Sequence, residues 1–246
     1  MRTFGFVAIA PLFSARSAPP QFRIVLAFLL ASVAFSAWAP RVGQMGTAVA
    51  DVIPAALSEL VLGMMLGFIV GLIFVTFQFA GQFIGYQMGF AIVNVLDPHS
   101  QSQVSLIGEF LFAIVMLSFL NLNLHHDLLG LWHQSYALAP PGEWALTNLE
   151  LTALISAFTN LVYLALKVAI PLLGFLMLTD LSLGIIARVM PQMNVFIVGI
   201  PLKIAMGLFF ISLLTLQFDP VVRQVTLRFV NDAGQLLHTL SGQSVL

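Results

Sequence analysis

The chain has no cysteine among its 246 residues, which removes disulfides, thiolate nucleophiles and cysteine metal sites together and leaves the redox compartment open. Charge is nearly as scarce. Asp, Glu, Lys and Arg make up 8% of the sequence, against roughly 25% in an ordinary soluble domain. The nine Lys and Arg residues are scattered, so no basic patch invites nucleic acid or a polyphosphate. What fills the space is apolar: 60% of the residues are hydrophobic and mean hydropathy is +1.02. Those values describe an integral membrane protein or a buried piece of one.

Catalytic constellations are also missing. His125, His126 and Asp127 form the one dense cluster of ligand-type side chains. Neighbours on a helix point about 100° apart, and a third ligand at matching spacing is lacking. Ser100 and Ser102, near Asp97 and His99, are not set in a nucleophile elbow and read as turn residues. The glycines do not follow a strand into a phosphate loop. No enzymatic activity, cofactor or metal is expected.

What is present is a glycine pattern. From Glu59 to Asp97 more than thirty residues pass without a charge, and Gly63, Gly67 and Gly71, then Gly81, Gly85 and Gly89, recur every fourth position. That period puts them on one helix face, where absent side chains let a neighbouring backbone approach closely. The stretch stops at a polar loop, Asp97, Pro98, His99, Ser100 and Gln101.

Apolar segments fall at about 3–13, 24–39, 60–96, 106–122, 128–139, 151–179, 181–200 and 201–218. A bilayer crossing needs roughly 20 apolar residues, so several of these are the wrong length. The segment 60–96 is either one long tilted helix or a hairpin turning near Gln78 to Gln82. The segment 128–139 ends at Pro140-Pro141-Gly142 and is expected to be re-entrant or packed inside protein. The start is not read as a secretory signal, because Pro11, Arg16, Pro19 and Pro20 leave no small-residue cleavage site. Lys and Arg are too evenly spread to orient the chain. The tail from Pro220 to Leu246 reads as an amphipathic helix lying on an interface or a partner.

Four charges, Glu109, Lys167, Arg188 and Lys203, interrupt apolar segments and are expected to be buried. Each would cost on the order of 2.5 to 3.5 kcal/mol at mid-bilayer and so needs water or a partner, Asp180 among them. Lys167 lies four residues before Pro171, where a helix tends to kink.

Several blocks together carry a family resemblance. Ala80-Gly81-Gln82-Phe83-Ile84-Gly85-Tyr86-Gln87-Met88-Gly89-Phe90-Ala91, with Asp97-Pro98-His99-Ser100 after it, resembles the signature stretch of the FliR family of flagellar biosynthetic proteins. Further matches are Ala10-Pro11-Leu12-Phe13 with Arg16 and Pro19, Glu59 with Gly63 and Gly67, and Ser135-Tyr136 before Pro140 and Gly142. Pro191-Gln192-Met193-Asn194-Val195-Phe196 with Gly199, Pro201, Leu202 and Lys203 completes the set. The similarity covers nearly the whole chain.

The resemblance implies an all-α export-gate subunit of type III secretion, built from long kinked helical hairpins and closing a pseudo-helical pore. Its partners would be FliP-type and FliQ-type subunits, an FlhB-type gate subunit and unfolded export substrates, in the bacterial inner membrane at the flagellar basal body. The family's gate sits largely above the membrane plane, its apolar helices covered by neighbours. Residues 1–148 would be the FliP-like half, with a plug loop near 97–105, and 149–246 a FliQ-like hairpin with an amphipathic end. Asp97, Pro98, His99, Ser100 and Gln101 would form the pore plug. Gly81, Gly85 and Gly89 would set the approach to a FliP-type neighbour, with Gln82 and Gln87 hydrogen-bonding across it.

Two departures stand out. Family members usually carry a further stretch before the position of Arg2, so the first helix is expected to lack its outer end. They also tend to have glycine where this chain has Leu124 in Asn123-Leu124-His125, so that turn is expected to be reshaped. The alternatives are a secondary transporter of small solutes, with Lys167, Arg188 and Glu109 around a cavity, and a purely structural scaffold.

Overall fold

The computed structural model describes residues 1–11, 19–42, 49–90, 105–141, 151–192 and 194–240. Every regular element among them is an α-helix, as the composition requires: α1 (Arg2–Ile9), α2 (Pro20–Val42), α3 (Val49–Met88), α4 (Leu106–Asn121), α5 (Leu124–Leu138), α6 (Leu151–Val189), α7 (Val195–Thr215) and α8 (Phe218–Leu240). The apolar run after Glu59 is therefore one helix, not a hairpin at Gln78. Three helices are long and apolar enough to cross a membrane, over Val52–Met88, Leu154–Val189 and Ile197–Thr215.

Two segment boundaries differ from the expectation. Residues 151–189 form a single helix through Asp180 and Pro171, and the break falls at Met190–Asn194. Hydropathy had put the boundary at the charge, but a carboxylate that finds partners does not end a helix. Between α4 and α5 the backbone breaks at Asn123, in the left-handed region at φ 56°. Asparagine tolerates that conformation because its short polar side chain stabilises it locally. Leu124 can then open the next helix with ordinary dihedrals, although it stands where the family tends to have glycine.

The helices divide into two compact units whose boundaries cut through α3, α6 and α8. In the first, α1 lies against the early half of α3. A Cβ added at Gly63 would collide with the backbone of Arg2, and one at Gly67 would come within 2.8 Å of the Phe6 carbonyl oxygen. Gly5 presents the matching bare patch on α1, facing Leu60 and Met64. The helices touch backbone to backbone.

The same unit holds most of α8, whose apolar side is buried through Val225, Phe229, Ala233, Leu236, Leu237 and Leu240. The tail is thus amphipathic as read, but its apolar face is covered by its own chain and not by a partner. Asn160 Nδ2 donates to Asp232 Oδ2 at 2.8 Å, which satisfies the one buried carboxylate on that side.

In the second unit the later half of α3 packs on α4, with the Phe74 ring 5.8 Å from Phe112 and 5.2 Å from Phe119. There α6 and α7 form an antiparallel pair in which Phe175 and Phe210 lie ring against ring at 3.5 Å.

The glycine contacts yield a testable asymmetry. Gly63→Val forces a branched side chain into the Arg2 backbone and should cost about 1 to 3 kcal/mol or more of stability. Gly130→Ala meets nothing within 4 Å in α5 and should be neutral or gain up to about 1 kcal/mol of helix propensity. Thermal unfolding of the two variants in mild detergent checks the pair, and a Gly63→Val protein as stable as the parent would contradict the packing.

Candidate functional site

The loop singled out in the sequence hangs from a neck that the structure defines well. At its start, α3 closes on Gly89, whose φ of +95° only glycine adopts easily. The Gly89 N–H donates to the Tyr86 carbonyl and the Phe90 N–H to the Gly85 carbonyl, both at 3.1 Å, which is how a helix ends on a left-handed glycine. Gly89 therefore belongs to the helix terminus and not to the packing stripe in which its spacing placed it.

At the far side of the loop, Ser105 caps α4. Its hydroxyl accepts from the Gly108 N–H at 3.2 Å and donates to the Gly81 carbonyl at 3.3 Å. A Cβ on Gly81 would lie 2.6 Å from the Gly108 Cα, and one on Gly85 would lie 2.9 Å from the Ser105 hydroxyl. Gly81 and Gly85 thus bring α3 against a helix of the same chain. The two ends of the described chain on either side of 91–104 are thus held a backbone contact apart. Asp97, Pro98, His99, Ser100 and Gln101 fall in that segment, outside the described residues.

Polar side chains gather around the neck. Gln78 Nε2 donates to Glu109 Oε1 at 3.2 Å and Gln82 Nε2 to the Tyr86 hydroxyl at 3.1 Å. A groove of about 240 Å³ is lined by Val75, Gln78, Phe79, Gln82, Ser105, Gly108 and Glu109. Near the end of α3, Gln87 Nε2 donates to Asp180 Oδ2 at 2.9 Å. Lys203 Nζ lies 2.8 Å from Asp180 Oδ1 and 3.0 Å from Oδ2. One carboxylate of α6 therefore joins α3 and α7.

The four charges expected to be buried need correction. Glu109, Lys167 and Arg188 are exposed on the chain, and Lys203 is half-buried in its pair with Asp180. They interrupt apolar runs in sequence but sit on helix sides that this chain leaves uncovered.

Among the described residues the one fully buried cation is Arg2, which the sequence did not mark. Its guanidinium donates to Glu59 at 2.9 and 2.8 Å, to the carbonyls of Ser135 at 2.6 Å and Ala139 at 2.7 Å, and lies 4.4 Å over the Tyr136 ring. Two of those acceptors are carbonyls at the end of α5, that of Ser135 shared with the Ala139 N–H at 3.1 Å, so the cation completes the helix terminus and fixes α1 to α3 and α5 together. Thr3 adds a hydroxyl contact with Tyr136 at 3.1 Å. Burial holds the Met1 amino group below its usual range, outweighing the pull of Glu59 upward.

Comparison with known proteins follows the same residues. The family model described as bacterial export proteins, family 1, matches residues 1–229. The chain belongs to the FliR family of bacterial export proteins. The flagellar biosynthetic protein FliR of Bacillus subtilis (strain 168) is 34% identical over 230 residues, covering 92% of this chain and 87% of that protein. The FliR proteins of Escherichia coli (strain K12) and Aquifex aeolicus (strain VF5) are each 28% identical, over 85% and 86% of this chain and 79% and 81% of their own lengths. In this FliR-family chain the neck, the Asp180 junction, the Arg2 lock and the Asn160–Asp232 bond are among the described polar features that hold helices together. Among the described residues no group of three or more His, Cys, Asp or Glu is placed to hold a metal.

Removing one partner of a buried ion pair leaves the other charge uncompensated, at a cost of about 3 to 5 kcal/mol. Glu59→Gln should therefore lose most of that amount, and Arg2→Met with Glu59→Leu should recover much of it. A double-mutant cycle on detergent unfolding midpoints measures the coupling, and additive losses would contradict the lock.

Proposed function

We propose that this chain is a non-catalytic subunit of the flagellar type III protein export gate, in the bacterial inner membrane at the flagellar basal body. It closes the pore in its resting state through the loop Asp97, Pro98, His99, Ser100 and Gln101, and lets unfolded export substrates pass when the loop is displaced. FliP-type and FliQ-type subunits, with an FlhB-type subunit, are its partners, and it needs no cofactor. Residues 1–148 correspond to a FliP-type subunit and 149–246 to a FliQ-type hairpin.

The observation that carries this reading is the neck. A plug must be displaceable while its anchor stays put, because an anchor that gave way would take the packing of α3 and α4 with it. Here the two stems are joined by Gly81 against Gly108 and by Ser105 bonding both helices, whereas the loop itself is polar. A polar backbone segment at membrane depth is tolerated only where protein or water surrounds it, which suits a pore.

The transporter alternative required Lys167, Arg188 and Glu109 to surround one cavity, but Lys167 and Arg188 are exposed on helix sides and only Glu109 lines the open groove beside Gln78. A scaffold differs from a gate only in whether the loop lies in the conducting path. Deleting Asp97 to Gln101 should make membranes containing the assembled complex permeable to small ions while the complex still forms. Conductance across planar bilayers checks this, and a deletion complex as tight as the parent would overturn the plug.

A further inference from the structure

Because α3 and α4 meet through Gly81 and Gly108, the seam between them is a trough that neither glycine has a side chain to fill. Its walls are Val75, Gln78, Phe79 and Gln82 on α3 and Ser105 and Glu109 on the side of α4. Its polar atoms are mostly acceptors. Glu109 Oε1 accepts from Gln78 Nε2 at 3.2 Å, and Gln82 gives an amide N–H to the Tyr86 hydroxyl at 3.1 Å. That leaves the second carboxylate oxygen and two amide carbonyl oxygens without a donor among the described residues. Nor does a cation reach the carboxylate there: the ion pairs of the described residues are Arg2 with Glu59 and Lys203 with Asp180.

Glu109 is well placed only while water reaches it. It stands in the first turn of α4, where the helix dipole favours a carboxylate, and the Gln78 amide adds one bond. Yet the exposed residues beside it are apolar: Val75 is 40% exposed, Phe110 48% and Leu106 67%. A contiguous apolar surface of that kind marks a contact, and covering it strips the carboxylate of its solvent. A carboxylate without water then requires a cation that also donates hydrogen bonds.

Three sources of positive charge can be compared. A calcium ion takes six or more oxygens and magnesium a rigid octahedron, which one carboxylate and two amides do not supply. A lipid amine is out of reach. Gln78 lies about 15 Å along α3 from its end at Met88, at roughly 1.5 Å per residue. That is the middle of a hydrocarbon core about 30 Å thick if the helix crosses one, and outside lipid altogether if it does not. At about 240 Å³ the trough is also smaller than the roughly 300 Å³ at which small-molecule pockets begin. One long basic side chain suits it, with the alkyl stem against Val75 and Phe79 and the charge at Glu109.

We infer that the trough between α3 and α4 is the seat of a lysine or arginine side chain carried by a helix of a neighbouring subunit, with Glu109 as its counter-ion and Gln78 and Gln82 as positioning acceptors. The inference rests on the reading of this chain as one subunit of a multi-protein gate, and not on the plug.

The test uses the complex isolated from bacterial membranes in mild detergent through a tag on this chain. With p-benzoylphenylalanine in place of Val75, light should join the chain to another subunit of the complex, and the joined peptide should carry Lys or Arg within one helical turn of the link. Glu109→Lys should lower recovery of that subunit at least about ten-fold while the chain itself accumulates as before, and Glu109→Gln several-fold. Glu109→Asp should retain it, and glutamate in place of the partner's basic residue should restore it in Glu109→Lys. A link to lipid, no link, a joined peptide without a basic residue, or full recovery with Glu109→Lys would each overturn the inference. If the unaltered chain brings no other subunit with it, the multi-subunit reading falls and the inference with it.

Discussion

Two helices can bring their backbones together only where side chains are absent, and this protein uses that constraint twice along one helix. On the early half of α3, Gly63 and Gly67 receive α1. On the later half, Gly81 and Gly85 receive the start of α4. Without much charge or any disulfide, apolar packing must supply specificity as well as stability, and it is specific only where shape forbids alternatives. A helix with a continuous apolar surface could slide or rotate against its neighbours. Bare notches at fixed heights remove that freedom. The hydrogen bonds of Ser105 and the ion pair of Arg2 act at distances the notches create.

The glycine stripe was legible in the sequence because its information is local: two runs of three glycines, each at a four-residue period. The same locality explains the amphipathic tail. What the stripe could not reveal was its occupant. Gly81 and Gly85 meet the chain's own α4, although the resemblance pointed to a neighbouring subunit, and Gly89 has the right spacing for packing but the dihedral of a helix terminus. Period and dihedral are independent quantities, and only the first is written in spacing. Arg2 escaped notice for a different reason. Its partners are Glu59, Ser135 and Ala139, so the lock exists only after three helices meet. Had Arg2 been treated as a charge in an apolar run, like Lys167, the question of its partner would have arisen.

Charge placement follows from one accounting of solvation. A cation that cannot reach water needs acceptors, and Arg2 has five hydrogen bonds, to a carboxylate, a hydroxyl and two carbonyls. A half-buried pair needs less, and Asp180 with Lys203 and Gln87 is such a group. Charges on an uncovered side need none from the chain, as at Lys167 and Arg188. Hydropathy scores all of these alike because it counts residues in a window. The geometry sorts them by which side of the helix each occupies.

The neck and the Asp180 junction together fix the two stems, the end of α3 and the start of α4. Gln87 lies two residues before the left-handed glycine that ends α3, and its amide is held by the carboxylate that pairs Lys203 of α7. Ser105 holds the opposite stem to Gly81. Rotation of either stem about its own axis would break one of these bonds and drive a neighbouring backbone into a glycine notch.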